Sequence, residues 1–494
     1  MMTAAMDTLR VLAALGLPWL LGALAVHRLV APAPPGRRAL VLGYGFLLGV
    51  LALTLCMRAL DHLGLPLRVP VVLAPLLLLT LALGVLQWQR PRAFGVALGS
   101  DGPGTLPRWQ RLLMALLVAA VALRLAGFWL EVSWRPLFPW DAYMHWATKA
   151  KVWAEAQALL PFVSYDDWLA AGGAGVYTDN HPDYPITTPL LQTWMALLLG
   201  RFDDALVNLP WVALLAAAVL LLFAQARRAG AGPLAAVVFC YFLASMPMVN
   251  LQTALAGYAD VFLGAFYLAA VAAFYHWSQT RDWRDGLLAL ACAAACPLIK
   301  NEGLFWLLSF GPALAVRSLP WRWSLALLAS AVALGVAALL LAPADTPLAG
   351  HTLARLDLHL RAEALRPLLE SWFVHANWHL LFWLLAALLA ASLGLAGVMR
   401  RAWPPSLAAV GAALGTAVAL FLVLFLFTGY AGGAMRHTAD NRIMLQLAPA
   451  LLFFCLLLWL WVYGLSAKTV AGEAPAPGGD IGAHALLDPR QSPG

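Results

Sequence analysis

Long apolar runs recur along this chain, separated by short polar breaks. Thirteen of them predict membrane-crossing helices, at about 11–28, 39–57, 69–87, 112–131, 205–226, 232–249, 261–277, 286–299, 303–316, 323–342, 379–399, 405–427 and 443–465. A helix of ~20 apolar residues spans the ~30 Å of bilayer hydrocarbon. Lipid offers the backbone no hydrogen-bond partners, so such a series predicts a helical bundle. The ~10-residue alternating segments of a membrane β-barrel are absent from the pattern. The expected fold class is an all-α polytopic membrane protein with juxtamembrane helices on its outer face. One further apolar stretch, 186–200, is too short to cross and reads as a juxtamembrane or re-entrant helix.

Charge fixes the expected orientation. With 186–200 excluded, the basic pairs Arg37/Arg38, Arg90/Arg92, Arg108/Arg111, Arg227/Arg228, Arg281/Arg284, Arg317/Arg322 and Arg400/Arg401 fall on one side. The positive-inside rule makes that side the cytoplasm. The N-terminus is then outside, and Arg10 alone before the first run makes that run a signal anchor rather than a cleaved leader. Of 24 acids, 18 fall on the outer side. Acids do little to set orientation, so the outer face is expected to carry the function. The cysteines Cys56, Cys240, Cys292, Cys296 and Cys455 lie in or at the ends of apolar runs and read as small buried hydrophobes. The net charge of +7 comes without basic runs, which excludes a nucleic-acid partner.

Composition then singles out one loop. The chain is 63% hydrophobic and 11% charged, yet 132–188 holds Trp140, Asp141, His145, Lys149, Asp166, Asp167, His181, Asp183 and Tyr184. Ionisable groups beside a bilayer are expensive and usually functional. Lysine is also scarce: Lys149, Lys151 and Lys300 are on the outer face and Lys468 is in the tail, against 27 arginines. A compact ammonium serves chemistry that a guanidinium fork does not.

Five segments carry candidate chemistry. In FPWDAYMHWATKAKVW (138–153), Asp141 is expected to cap an amphipathic surface helix. At spacings of four, Asp141, His145, Lys149 and Trp153 would share a face. This reads either as an interfacial anchor or as a general base flanked by His and Lys. HPDYP (181–185) is either a structural turn or a loop touching substrate through His181, Asp183 and Tyr184. A divalent metal is compatible with His181 and Asp183 joined by Asp260 or His145, although no metal ligand or cofactor is assigned. In GYAD (257–260), Tyr258 precedes Asp260, which is a helix cap or a second acid facing Asp141. KNEG (300–303) is a polar hinge between short apolar segments, with Lys300 paired to Glu302 or meeting a phosphate. MRHTADNR (435–442) places Arg442 at a helix start, where a guanidinium anchors to headgroups or binds phosphate bidentately. The outer loop 344–378, with Arg355, Asp357, His359, Arg361, Glu363, Arg366 and Glu370, reads as a solvated amphipathic helix.

In order and sidedness these segments resemble the bacterial GT-C glycosyltransferases, relatives of the aminoarabinose and protein-mannosyl transferases. The shared pattern is an outer-loop Asp (Asp141 in WDAYMHW), a Pro-flanked juxtamembrane helix (after HPDYPITTP), a second acid (Asp260 in GYAD), a Lys-bearing hinge (KNEG) and a basic residue before the last crossing (Arg442). The resemblance covers roughly 112–465, leaves 1–111 unexplained, and departs from the family in lacking a double proline at HPDYP.

It implies an inner-membrane enzyme whose site faces the periplasm. The enzyme would transfer a sugar from a polyprenyl-phosphate donor to a hydroxyl of a glycan, lipid or protein acceptor, with inversion. Asp141 would be the general base, with His145 and Lys149 tuning it. Asp260 would orient substrate, and Lys300 and Arg442 would hold the departing phosphate. The implied division is an N-terminal membrane segment 1–111, a catalytic membrane domain 112–465 with outer loop 132–204, and a disordered cytoplasmic tail 466–494. The competing reading is a secondary transporter or flippase. It requires charge near the midplane, for which Arg124 is the main candidate.

Overall fold

The computed structural model describes residues 2–30, 34–90, 106–348, 351–353, 357–398 and 400–464. The tail 466–494 with Lys468, and the residues Arg92 and Arg355, lie outside the described residues. Among those described, structure is almost wholly helical. The strands are two-residue pairs, Phe162–Val163 with Tyr177–Thr178 and Pro347–Leu348 with His351–Thr352.

Nine helices among the described residues are long and apolar enough to cross a membrane. A tenth span is counted if the pair Pro233–Ser245 and Pro247–Ala254, bent by 56°, is one crossing. The bend sits at Pro247, which cannot continue a helical ladder. At the break the Ser245 carbonyl accepts from Asn250 Nδ2 at 3.1 Å. The other three expected crossings are shorter. They are Trp283–Ile299, of 17 residues, the broken pair Gly303–Leu308 and Phe310–Ser318, and Ala448–Val462 behind the separate turn Asp440–Leu445. The stretch at 186–200 forms Thr187–Leu199, whose 13 residues are too few to span. It is clasped by the first helix, where Trp194 Nε1 donates to the Ala14 carbonyl at 2.9 Å.

Helix Asp260–Thr280 is the axis of the bundle, with 94% of its apolar window buried. For Arg108–Trp134 and Trp321–Leu339 the buried share is 6%, so these helices present apolar side chains outward. The N-terminal helices belong to the same core. Tyr44 Oη donates to the Ala269 carbonyl at 2.8 Å and accepts from Gln225 Nε2 at 2.7 Å. Helices Ala5–Leu29 and Arg37–His62 meet backbone to backbone at Gly22, Gly45 and Gly49. A Cβ on Gly49 would lie 2.0 Å from the Pro18 carbonyl oxygen. Gly45 and Gly49 form the small-xxx-small spacing that permits such an approach. Gly49→Val is therefore expected to destabilise the protein by at least about 1–3 kcal/mol, read as a lower thermal midpoint in detergent.

Helix ends gather at two poles. At one, Asp61 accepts from the Leu159 backbone N–H at 3.0 Å, Arg58 donates to Thr187 Oγ1 at 3.2 Å, and Thr187 Oγ1 donates to the Leu298 carbonyl at 2.6 Å. At the other, Arg228 forks onto Asp285 at 3.0 and 2.8 Å, and Arg317 Nε donates to the Ser278 carbonyl at 2.6 Å. The first pole carries the candidate site.

Candidate functional site

The segment after Asp141 winds first as a π-helix, Ala142–Ala147, and then as an α-helix, Thr148–Ala156. Asp141 makes no capping hydrogen bond, which corrects the expected N-cap. Its carboxylate is instead taken by Arg442 Nη1. The wider π-turn is a feature common at functional sites. His145 and Lys149 turn inward and are buried.

Their partner is Asp179, an acid the sequence reading passed over. His145 Nδ1 and Lys149 Nζ lie 2.5 and 2.6 Å from its two carboxylate oxygens. The expectation that His145 and Lys149 tune Asp141 is thereby corrected: they lock the outer loop. Lys149 Nζ also donates to the His181 carbonyl at 2.9 Å, and the His181 N–H donates to Asp179 at 3.0 Å. The signal for Asp179 was indirect. A His and a Lys four apart on one buried face require an acid opposite them.

Burial alone would raise the Asp179 carboxyl, but hydrogen bonds from His145 and Lys149 outweigh it and hold it at about 2. A folded-state value below the unfolded one stabilises the fold above about pH 4, and the effect fades as pH falls toward 2. At ~1.4 kcal/mol per unit, the lock is worth about 2 kcal/mol. Protease resistance of the 157–186 loop is expected to fall in that acid window, and Asp179→Asn to remove that step.

The HPDYP loop folds over this lock. The His181 ring stacks on Tyr184 at 4.5 Å, and Tyr184 stacks on Trp146 at 5.7 Å. Burial and the neighbouring His145 lower the His181 pKa, which favours its neutral ring. Asp183 accepts from Asn301 Nδ2 at 2.8 Å, tying the loop to the KNEG hinge.

Asp260 is wholly buried at the first residue of its helix and caps nothing. Its Oδ1 accepts from Lys300 Nζ at 2.6 Å and from Gln446 Nε2 at 2.7 Å, and its Oδ2 accepts from Arg442 Nε at 3.3 Å. Arg442 thus bridges Asp141 and Asp260, with its guanidinium 4.4 Å from the Tyr258 ring. Burial would weaken its charge; the Asp260 and Asp141 carboxylates more than restore it. Lys300 also contacts Glu302 at 3.1 Å, so it serves two acids. The hinge reaches this position because a Cβ on Gly303 would lie 2.1 Å from the Cys296 carbonyl oxygen, a contact that glycine alone permits. Gln446, another residue the sequence reading missed, also accepts from Trp306 Nε1 at 2.7 Å.

The grouping of His181 and Asp183 with Asp260 or His145 that a metal would need is not assembled: Asp183 is taken by Asn301, His145 by Asp179, and Asp260 by Lys300, Gln446 and Arg442. The outer loop 344–378 is corrected too. Among its described residues only Leu365–Phe373 is a helix of any length. Before it Ala362–Ala364 forms a single 3-10 turn, and the His359 and Arg361 N–H groups donate to the Phe427 and Leu426 carbonyls at 3.2 and 2.7 Å.

A cavity of about 250 Å³ lies beside the charge cluster. Its polar end holds His181, Asp183, Tyr184, Asn301, Glu302 and Tyr430, and its apolar wall includes Leu339, Leu420, Val423 and Leu424. Asp141, Asp260, Lys300 and Arg442 do not line it. Glu302 and Trp306 do, and they join it to the cluster through Lys300 and Gln446. Leu339 belongs to the outward-facing helix Trp321–Leu341, so the apolar wall is continuous with the membrane-facing surface. No protein-family profile, curated protein or solved structure matches the chain.

Proposed function

We propose that this protein is a GT-C-like membrane glycosyltransferase using a polyprenyl-phosphate sugar. The observation that carries the reading is the amphipathic cavity beside the Asp141–Arg442–Asp260–Lys300 cluster. A polyprenyl chain fits an apolar wall that continues into lipid, and a phosphate and sugar fit the polar end. Adding the three short helices to the ten spans gives thirteen crossings. The basic loops then face the cytoplasm of a bacterial inner membrane, and the site faces the periplasm.

The acceptor hydroxyl oxygen attacks the anomeric carbon as its proton passes to Asp141. The bond to the phosphate oxygen breaks, inverting the centre and releasing polyprenyl phosphate. Charge develops on that phosphate, where preorganised cations act best. Arg442 and Lys300 are the cations, and both are held by acids until substrate arrives. Asp260 and Gln446 keep them aligned, and Tyr258 supports the guanidinium from below.

A labelled polyprenyl-phosphate sugar presented in proteoliposomes tests this. The expected result is release of polyprenyl phosphate with label on a hydroxyl acceptor. Movement of intact donor across the bilayer without bond cleavage would replace the reading with transport. Nothing around Arg124 favours that alternative. It sits on the outward-facing helix Arg108–Trp134 and has no ion pair among the described residues.

A further inference from the structure

A second constellation lies at the same pole, outside the transfer centre. Glu370 is near the end of helix Leu365–Phe373, His375 follows in the next turn, and His437 lies between helices Ala431–Met435 and Asp440–Leu445. One donor atom from each lies within 4.8 Å of the others. The two imidazole rings meet edge to face, 4.7 Å apart. Behind His437 stands Asp440, which is fully buried, its carboxylate facing His437, Ser371 and the Asn441 N–H without a well-formed hydrogen bond. Its Oδ2 is 3.7 Å from His437 Nδ1, itself an unpartnered buried atom.

A buried carboxylate held only by such loose contacts is better satisfied when a cation stands behind the imidazole that faces it. We infer that Glu370, His375 and His437 bind a divalent transition metal of the zinc class, with Asp440 as the carboxylate that orients His437. Two imidazoles and one carboxylate are a donor set zinc accepts, with the fourth position left to water. Binding would draw the three donors together from their present separation. His437 would hold its proton on Nδ1 toward Asp440, leaving Nε2 for the ion, the usual carboxylate–histidine–metal arrangement. Glu370 is available because its competing partner, Arg366, is a solvent-exposed side chain at 2.8 Å, and such pairs are weak.

The site also has a consequence for the centre described above. Asp440 and Arg442 are on one short helix, Asp440–Leu445. Ser371 Oγ already donates to Asn441 Oδ1 at 2.8 Å between the same two segments. A metal would clamp 370–375 onto that helix and fix the position of Arg442. The clamp's effect on transfer rests on the proposed function; the metal site does not.

Full-length protein in detergent, stripped with EDTA and titrated with Zn²⁺ in a calorimeter, tests the site. About one equivalent is expected to bind, with a higher thermal midpoint and, for Co²⁺, visible absorption bands. His375→Ala, at an exposed position that leaves the core intact, is expected to abolish this binding. Asp440→Asn is expected to weaken it ~10–100-fold. His359→Ala, an exposed histidine elsewhere on the same loop, is expected to change nothing. No stoichiometric uptake by the wild type, or undiminished affinity in a monodisperse His375→Ala protein, would overturn the site. Unchanged sugar transfer by the stripped protein would overturn the clamp on Arg442 alone.

Discussion

Asp141→Asn is expected to cut sugar transfer by ~10²–10⁴-fold while the protein stays folded and binds its donor. The side chain is 26% exposed, against none for Asp260, and unlike the accessible Glu302 it is held directly by Arg442. A base that takes a proton from an incoming hydroxyl must be reachable by it, which excludes Asp260 from that role. Asp141 is also restrained, because Arg442 Nη1 is bonded to its carboxylate. A carboxylate so engaged has one oxygen less to offer an incoming hydroxyl. If the phosphate of the donor draws Arg442 toward itself, Asp141 is released only when the donor is present, so binding of the donor sets the base free for the acceptor. The asparagine keeps the shape but accepts no proton, so turnover falls while the donor concentration for half-maximal rate stays near that of the wild type. Rates measured across donor concentrations check both parts. Retained turnover removes Asp141 from the base role, and a loss confined to donor affinity makes it a binding residue.

The convergence of Asp141, Asp260, Lys300 and Arg442 was legible because the chain is so apolar. Each ionisable cluster stood out between helices, and chain order with alternating sidedness put all four residues at one pole. The partners within the cluster were not legible. Spacing by four placed His145 and Lys149 beside Asp141, but Asp179, far along the chain, takes both side chains, and no periodicity announces so distant a partner. Asp179 lay between residues that drew attention for their prolines and aromatics. Its role follows only once Lys149 is known to be buried. Gln446 had a usable signal, as a lone amide in the last apolar run, where a buried amide needs partners. The N-terminal helices had one too, in Gly45 and Gly49. Apolarity located every helix of the bundle but could not say which shorter ones cross. That depends on breaks such as the one between Gly303–Leu308 and Phe310–Ser318.

Lys300→Met is expected to destabilise the fold by about 3 kcal/mol, the low end of what breaking a buried ion pair costs. Lys300 is 5% exposed and Asp260 not at all, so the lost ammonium leaves a carboxylate that water cannot reach. Arg442 at 3.3 Å and Gln446 at 2.7 Å remain, which keeps the cost from being larger. The double variant Asp260→Asn/Lys300→Met removes both charges at once. It is expected to recover most of the lost stability, since a neutral buried pair carries no unpaired charge. Thermal unfolding of the four proteins in one detergent gives the coupling between the two sites. Transfer should not recover with stability. The double variant holds its fold but has lost a cation for the leaving phosphate and the acid that aligns Arg442. A double variant that regains both stability and transfer would make the Asp260–Lys300 pair a structural strut. Stability without transfer would tie the pair to the chemistry.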